Sequence, residues 1–444
     1  MTDTRYWIWL SAALGYGSFG LLPLLERFES AEGVFEADEE ALASVSALHK
    51  SEREKLSVHD LSRADEVAEY CLHSGVRILT IQDPDYPQAL LKIKNPPAVL
   101  YMRGAIPDWN RLPCIALVGA RAMSYYGASS AAEIAYDLGR MGCVTVSGMA
   151  LGIDGVSAAA TLESGGKTIA VLGSGIDRIY PKEHRTLYRA ILDGGGTIVT
   201  EFPPYEGADG FHFPLRNRII SGIARAVILV EGEASSGALI TAQYAKKQGK
   251  SVFAVPGKIN DKNSEAPLLL LKRDAKVLTC ADDIYDAFRE EYFSSLNPFA
   301  LLPKSDCNVD AVMRKYGIAV GKEKQRSEKI LKNASGGKKP IMQKIRDLLS
   351  ADKEKGEKEA MKTEISSSDM AEKRAAIDKE RKKMLEPRTY AVYEKLSYED
   401  AKHPDELATD TMSADAVSSE LIMMEVLGYV TLVSGGSYLK NENQ

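Results

Sequence analysis

The chain has 444 residues with 56 Lys plus Arg against 62 Asp plus Glu, a formal net charge of −6, and is 45% hydrophobic and 27% charged. Those proportions exclude a collagen-like, disulfide-scaffold or wholly disordered chain, and the length allows about two to four domains of roughly 100–200 residues. Mild acidity alone would argue against a polyanionic partner, but a net charge sums over the whole chain and hides the charge of any one face.

Residues 6–25 form a run of 20 uncharged residues, YWIWLSAALGYGSFGLLPLL. Gly15, Gly17, Gly20 and Pro23 interrupt it and MTDTR is a weak basic lead, so a helix, glycine turn and second helix are expected rather than a signal or membrane span. Apolar residues at spacings of three and four continue through LLERF, DEEALASVSALH and SRADEVAEYCLHSG, which makes residues 1–75 a small helical module.

From residue 76 short apolar runs alternate with amphipathic stretches. The runs are CIALVG (114–119), CVTVSG (143–148), KTIAVLG (167–173), GTIVTE (196–201), AVILVEG (226–232), KSVFAVPG (250–257) and KVLTC (276–280). Helices are expected at 126–141, 153–164, 184–193, 235–248 and 281–292. This alternation predicts an α/β core, 76–295, built on a doubly wound, mostly parallel sheet, whose ligands bind beyond the carboxyl ends of the strands.

Residues 320–388 hold 20 Lys/Arg against 13 Asp/Glu, a surplus of 7 that leaves −13 on the remainder. With KNASGGKKP, EISSSD and few aromatics, the stretch 296–386 is expected to be a charged, flexible linker. Order returns from 387 to 444: TYAVYEKLS, HPDELATDT and SADAVSSELIMMEVLGYV predict three helices, the last capped by Ser413, and VTLVSGGSYLK a hairpin turning at Gly435 and Gly436. This is the pattern of a winged helix-turn-helix. Its third helix offers Asp415, Ser418, Ser419 and Glu420 but no Arg or Lys, so a protein-contact or structural role is expected there rather than duplex binding.

Five cysteines (71, 114, 143, 280, 307) without a CxxC pair predict buried, reduced thiols of a cytoplasmic protein, and six histidines without HxH or HxxxH spacing predict no metal site. The strand ends carry the chemistry. They present Gly119 and Arg121, then Ser147 and Gly148, then Gly173, Ser174 and Gly175 leading to Arg178, Tyr180 and Lys182. Beyond Glu201 come Phe213, Arg216, Asn217 and Arg218, then Ser236 and Gly237. Glycines let backbone N–H groups approach an anion, helix N-termini add their dipoles, and arginines clamp a phosphate, so the edge is expected to be a phosphate-binding rim. A Walker loop would need glycine where Thr161 stands, and a dinucleotide fingerprint would need it at Arg178. No GxSxG or HExxH occurs, and Asp154 and Glu201 are expected to hold loops or pair with arginines. Binding is predicted, with no catalytic residue, metal or cofactor.

VGAR, VSGMALGID, GGKTIAVLGSGIDRIYP, TIVTEFPP, FPLRNRIISG and VEGEASSGALITAQYAKKQGKSVFAVPG, spread over residues 80–290, closely resemble the DprA/Smf family of bacterial DNA processing proteins. The resemblance implies an extended Rossmann-like core, a sterile-alpha-motif-like N-terminal module and an optional C-terminal winged helix. It further implies a non-enzymatic, homodimeric protein, without membrane attachment, that binds and protects single-stranded DNA and loads RecA recombinase during natural transformation. Carried over by position, the DNA site would comprise Arg121, Ser147, Gly148, the Gly173–Gly175 turn, Tyr180 to Lys182, Arg216 to Arg218, Ser236 and Gly237. Arg121, Lys182, Arg216 and Arg218 would neutralise phosphates, and Tyr180 or Phe213 would stack a base. The chain departs from the family pattern at Ser157-Ala158, where Ala-His is usual, at Ser235, where a cation is frequent, and at Ala266, Leu268 and Asp274, where Gly, Asn and Gly are expected. The alternative is a nucleotide-binding, phosphoribohydrolase-like enzyme using Glu201 or Glu231 near a ribose, although the chain lacks a PGGxGTxxE block. A third possibility is an interaction scaffold acting through its C-terminal domain.

Overall fold

The computed structural model describes residues 4–234, 236–292, 295–297, 307–320, 387–409, 429–433 and 437–441, with scattered positions between 374 and 425. The chain divides into one unit of Met1–Gly321 with Pro387–Gln444 and a second of Lys322–Glu386. Of the second unit only positions between 374 and 385 are described, so most of the expected linker lies outside the described residues.

Six helices open the chain: α1 (Thr4–Leu14), α2 (Leu21–Phe28), α3 (Ala31–Phe35), α4 (Glu39–Ala43), α5 (Lys50–Leu56) and α6 (Ser62–His73). The glycine-broken apolar run is therefore two helices joined by a turn. No described helix is long and apolar enough to cross a membrane. Trp7, Leu10, Leu24, Val34, Leu56 and Cys71 are buried in one apolar cluster continuous with that of the sheet, so the module is built onto the core rather than tethered to it.

The core sheet has nine strands: β1 (Arg77–Thr80), β2 (Val99–Gly104), β3 (Cys114–Val118), β4 (Val144–Ser147), β5 (Lys167–Val171), β6 (Thr197–Thr200), β7 (Ala226–Leu229), β8 (Ser251–Ala254) and β9 (Lys276–Val277). Their order is β1-β2-β6-β5-β4-β3-β7-β8-β9. Strands β3 to β9 pair in parallel, and β1 and β2 add an antiparallel edge beside β6. All seven apolar runs become β3–β9, with β3, β4, β6 and β7 buried along their length, as a sheet covered on both faces requires. Covering helices are α7 (Tyr125–Met141), α8 (Ile153–Glu163), α9 (Arg185–Asp193), α10 (His212–Ile223), α11 (Gly237–Lys247), α12 (Glu265–Leu271) and α13 (Asp282–Phe288).

The expected linker from 296 begins too early. Helix α14 (Val309–Tyr316), capped by Asn308 accepting from the Ala311 N–H and ended by Gly317 at φ 69°, docks on α8. There Lys315 Nζ and Tyr316 Oη reach Glu163 Oε1 at 2.5 and 2.6 Å. Burial of the cysteines also needs correcting: Cys71, Cys114 and Cys143 are buried free thiols, but Cys280 is exposed, because KVLTC runs on past the end of β9, and Cys307, just before α14, is half-buried. Helices α15 (Pro387–Glu394) and α16 (Pro404–Leu407) and an antiparallel hairpin of β10 (Val430–Leu432) and β11 (Tyr438–Lys440) follow. Ser413, Asp415, Ser418, Ser419, Gly435 and Gly436 lie outside the described residues.

Candidate phosphate-binding site

Strand order reverses between β3 and β7: the chain proceeds from β3 to β4, β5 and β6 on one side, then returns to β7 on the other. Loops leaving the two central strands diverge there, and beyond their carboxyl ends lies a cleft of about 640 Å³. Gly119 and Arg121 follow β3 on one wall; Phe213, Arg216 and Asn217 of α10 form another; Ser236 and Gly237 at the start of α11 close it. A narrow extension runs between Gly148, Leu151, Gly173, Tyr180 and Arg216.

The loop after β4 is held from within. Asp154, at the second position of α8 and buried, accepts from the N–H groups of Gly148 at 2.8 Å and Ala150 at 3.5 Å. It thus satisfies amides that would otherwise face an anion, as the sequence suggested for it. Burial raises its pKa, against the pull of the nearby Arg216 guanidinium. Gly152 takes φ 79°, and a Cβ there would stand 2.2 Å from the Ala120 carbonyl oxygen. Only glycine lets the turn that carries Arg121 cross the start of α8 this closely.

Arg216 is 3% exposed although it lines the cleft. Its Nη1 donates to the Gly148 carbonyl at 2.9 Å and to that of Val171, and its Nε to Asn217 Oδ1 at 3.2 Å. Burial lowers its pKa to about 10, so it keeps its charge at neutral pH. Asn217 Nδ2 donates to the Gly237 carbonyl at 3.2 Å, joining α10 to α11. Arg121 is exposed, with its guanidinium 5.3 Å from the Phe213 ring centroid, and the Tyr180 ring lies 5.3 Å from the same ring.

The remaining expected residues divide. Ser236 caps α11 by accepting from the Ala238 N–H, and Gly237 opens onto the cleft. Lys182 is exposed one residue beyond Pro181, outside the cleft lining. Ser147 and Ser174 are each 1% exposed and spend their hydroxyls on the carbonyls of Asp154 and Arg178, while the Gly175 N–H donates to the Glu206 carbonyl. These three brace loops. Arg178 lies outside the cleft, paired with Asp177 at 3.3 Å.

Arg218 does not reach the rim. It is fully buried, and its Nη2 meets Glu201 Oε1 at 2.6 Å. Two helical positions place Arg216 and Arg218 about 200° apart, so one faces the cleft and the other the turn around Gly17. Glu201 therefore pairs with an arginine, one of the two roles expected of it. Glu231 accepts from Ser124 N and Ser124 Oγ, away from the cleft. Sequence reasoning missed Leu151, 41% exposed at the mouth of the extension; its signal is an apolar residue set in a glycine-flanked loop. Ala158 fills the usual histidine position as a buried core residue, and Asp274 keeps a left-handed backbone at φ 96° where the family pattern has glycine. Ser235 lies outside the described residues. Among the described residues no group of three or more His, Cys, Asp or Glu could hold a metal ion.

The fold and cleft define a doubly wound α/β protein with a cationic, aromatic-lined site at its topological switch point. Residues 77–289 match the profile of the family described as DNA recombination-mediator protein A. The DNA processing protein DprA of Bacillus subtilis is 38% identical over 225 residues, 51% of this chain and 75% of that protein. The DprA of Streptococcus pneumoniae is 40% identical over 209 residues, 47% of this chain and 73% of that protein. The X-ray structure of the S. pneumoniae DprA superposes with a TM-score of 0.56 at 34% identity, covering 64% of this chain and 98% of that one. The chain belongs to the DprA/Smf family.

Proposed function

We propose that the cleft binds single-stranded DNA through backbone phosphates and base stacking, without chemistry on the strand. The observation that carries this is the exposed Arg121 guanidinium set against Phe213 beside the start of α11: a phosphate ligand, an aromatic face and the positive end of a helix within one cleft. Arg216 adds a second, buried positive charge. The carboxylates that the enzyme alternative would need are engaged elsewhere, Glu201 with Arg218 and Glu231 with Ser124. Family membership supports the same role. Protection of the strand, RecA loading, homodimerisation, a cytoplasmic location and a part in natural transformation enter the proposal on the sequence resemblance. For residues 387–444 we propose a winged helix, on the support of α15, α16 and the β10–β11 hairpin. Glu420, on its expected third helix, is buried and accepts from Thr389 Oγ1 at 2.8 Å, which favours structure over DNA contact.

The test is fluorescence anisotropy of oligo-dT against salt. Log affinity should fall linearly with log salt, and Arg121→Ala should weaken binding and flatten the slope by about 0.7, one single-strand phosphate contact. Salt-insensitive or absent binding, together with release of base from a nucleoside monophosphate, would overturn the proposal in favour of the enzyme. RecA loading is tested by adding RecA to strands coated with a single-strand-binding protein and following filament formation with and without this chain; no acceleration would remove that part.

A further inference from the structure

Ten large apolar or aromatic side chains are exposed among the described residues, and Tyr125 and Tyr126 on the first turn of α7, with Leu151, Tyr180 and Ile259 on loops, stand at the one sheet edge that holds the cleft. Leu151 and Tyr180 line the cleft's extension. The other three lie beyond its walls, where the lining of the cleft does not require them. Tyr125 is 53% and Ile259 86% exposed. Tyr126, 51% exposed, is held in place by its hydroxyl, which donates to the Pro256 carbonyl at 2.7 Å.

These residues form one surface. Asn263 Nδ2 donates to the Ala122 carbonyl at 3.1 Å, and the Tyr126 bond ties the start of α7 to the loop after β8, so the turn bearing Arg121 and the 256–263 loop are fastened together. On that loop Lys258 and Lys262 are exposed and have no ion-pair partner among the described residues. Asp261, between them, turns its carboxylate onto the Asn263 N–H at 3.0 Å. Exposed aromatic faces interleaved with unpaired ammonium groups fit a flexible polyanion with flat apolar substituents, which is a nucleic acid single strand.

We infer that a single strand held in the cleft continues outward from Arg121 over Tyr125 and Tyr126 to Lys258 and Lys262, with Tyr125 stacking a base and the two lysines holding phosphates. This footprint rests on the function proposed above and adds to it a second segment of track. The full chain is titrated with oligo-dT of about 6 and about 20 nucleotides, the shorter able to fill the cleft alone. The 20-mer should bind more tightly than its number of registers accounts for. Tyr125→Ala should lower the ratio of 20-mer to 6-mer affinity about tenfold. Lys258→Ala with Lys262→Ala should flatten the 20-mer salt slope by about 1.4 while the 6-mer slope holds. Ratios and slopes equal to wild type in both variants, with circular dichroism unchanged and Arg121→Ala still weakening the 6-mer, would overturn the track and leave the cleft intact. Wild-type failure to bind either oligonucleotide would overturn both. Self-association lost in Tyr125→Ala, with the affinity ratio unmoved, would assign the surface to a second copy of the chain and likewise overturn the track.

Discussion

Glu201→Gln removes the charge facing a fully buried guanidinium. Arg218 and Glu201 meet at 2.6 Å with 0% and 3% exposure, and Arg218 Nε and Nη1 have no hydrogen-bond partner among the described residues. Glu201 is therefore the carboxylate that compensates this cation. At an effective dielectric of about 20, unit charges about 4 Å apart attract by about 4 kcal/mol, in line with the roughly 3–5 kcal/mol lost when one partner of a buried pair is removed. The single variant should be destabilised by that amount. Replacing both, Glu201→Leu with Arg218→Met, should restore most of it, because two apolar side chains of similar volume leave no buried charge. Urea unfolding followed by tryptophan fluorescence suits the measurement, since Trp7, Trp9 and Trp109 are all buried and span the helical module and the core. A double variant destabilised by the sum of Glu201→Leu alone and Arg218→Met alone would refute the reasoning, because independent sites add and a coupled pair does not.

Gly152→Ala should cost about 2 kcal/mol or more and weaken oligo-dT binding, since the left-handed backbone and the Ala120 oxygen 2.2 Å from the new Cβ both oppose it; titration of unfolding and of DNA checks each. Asp274→Gly should stabilise the chain by about 1 kcal/mol, read as a higher urea midpoint: glycine relieves the φ of 96°, and the pair lost with Lys246 is largely exposed at Asp274 and worth only a few tenths. His184 is buried with its Nδ1 on the Met149 carbonyl at 3.0 Å, and burial holds its pKa below the usual 6.5. A lowered folded-state pKa means the neutral ring is favoured on folding, so its contribution is complete above about 6.5 and is lost as pH falls through the folded value. The drop in urea midpoint from pH 7.5 to 5.5 should thus be smaller in His184→Asn than in wild type; an equal drop would count against it.

The parallel strands were legible because burial on both faces demands unbroken apolar runs, and each of the seven runs became a strand. The antiparallel edge was not: β1 is four residues opened by the exposed Arg77, and the buried run of β2 stops at Arg103 with no following helix to give it the strand–helix alternation of the core. Helix α10 was legible as a motif but not as a helix, because Leu215 to Ile223 are buried without interruption and no polar stripe marks its period. The site was legible as an edge and as a set of residue types. Exposure is the weak link: a charged side chain reads as solvent-facing, yet Arg216 and Arg218, about 200° apart on α10, are both buried, and Arg218 points away from the cleft to Glu201. Linker composition overlooked α14 for a related reason: its docking on α8 depends on Glu163, 152 residues from Lys315, a partner that no local window contains.

Phe213 has company on several sides: Arg121 at 5.3 Å, Arg216 at 6.0 Å, Tyr180 at 5.3 Å and the Gly173 backbone, where a Cβ would lie 2.8 Å from the ring. Occupation of the cleft is therefore a substitution. In the proposed complex, a base that takes the ring face must displace the Arg121 guanidinium, and the freed guanidinium is then available to the phosphate of that same nucleotide. Cation and ring stand in for the two halves of a nucleotide before one arrives. Entry of a nucleotide then exchanges one cation–ring contact for a base on the ring and a cation on the phosphate.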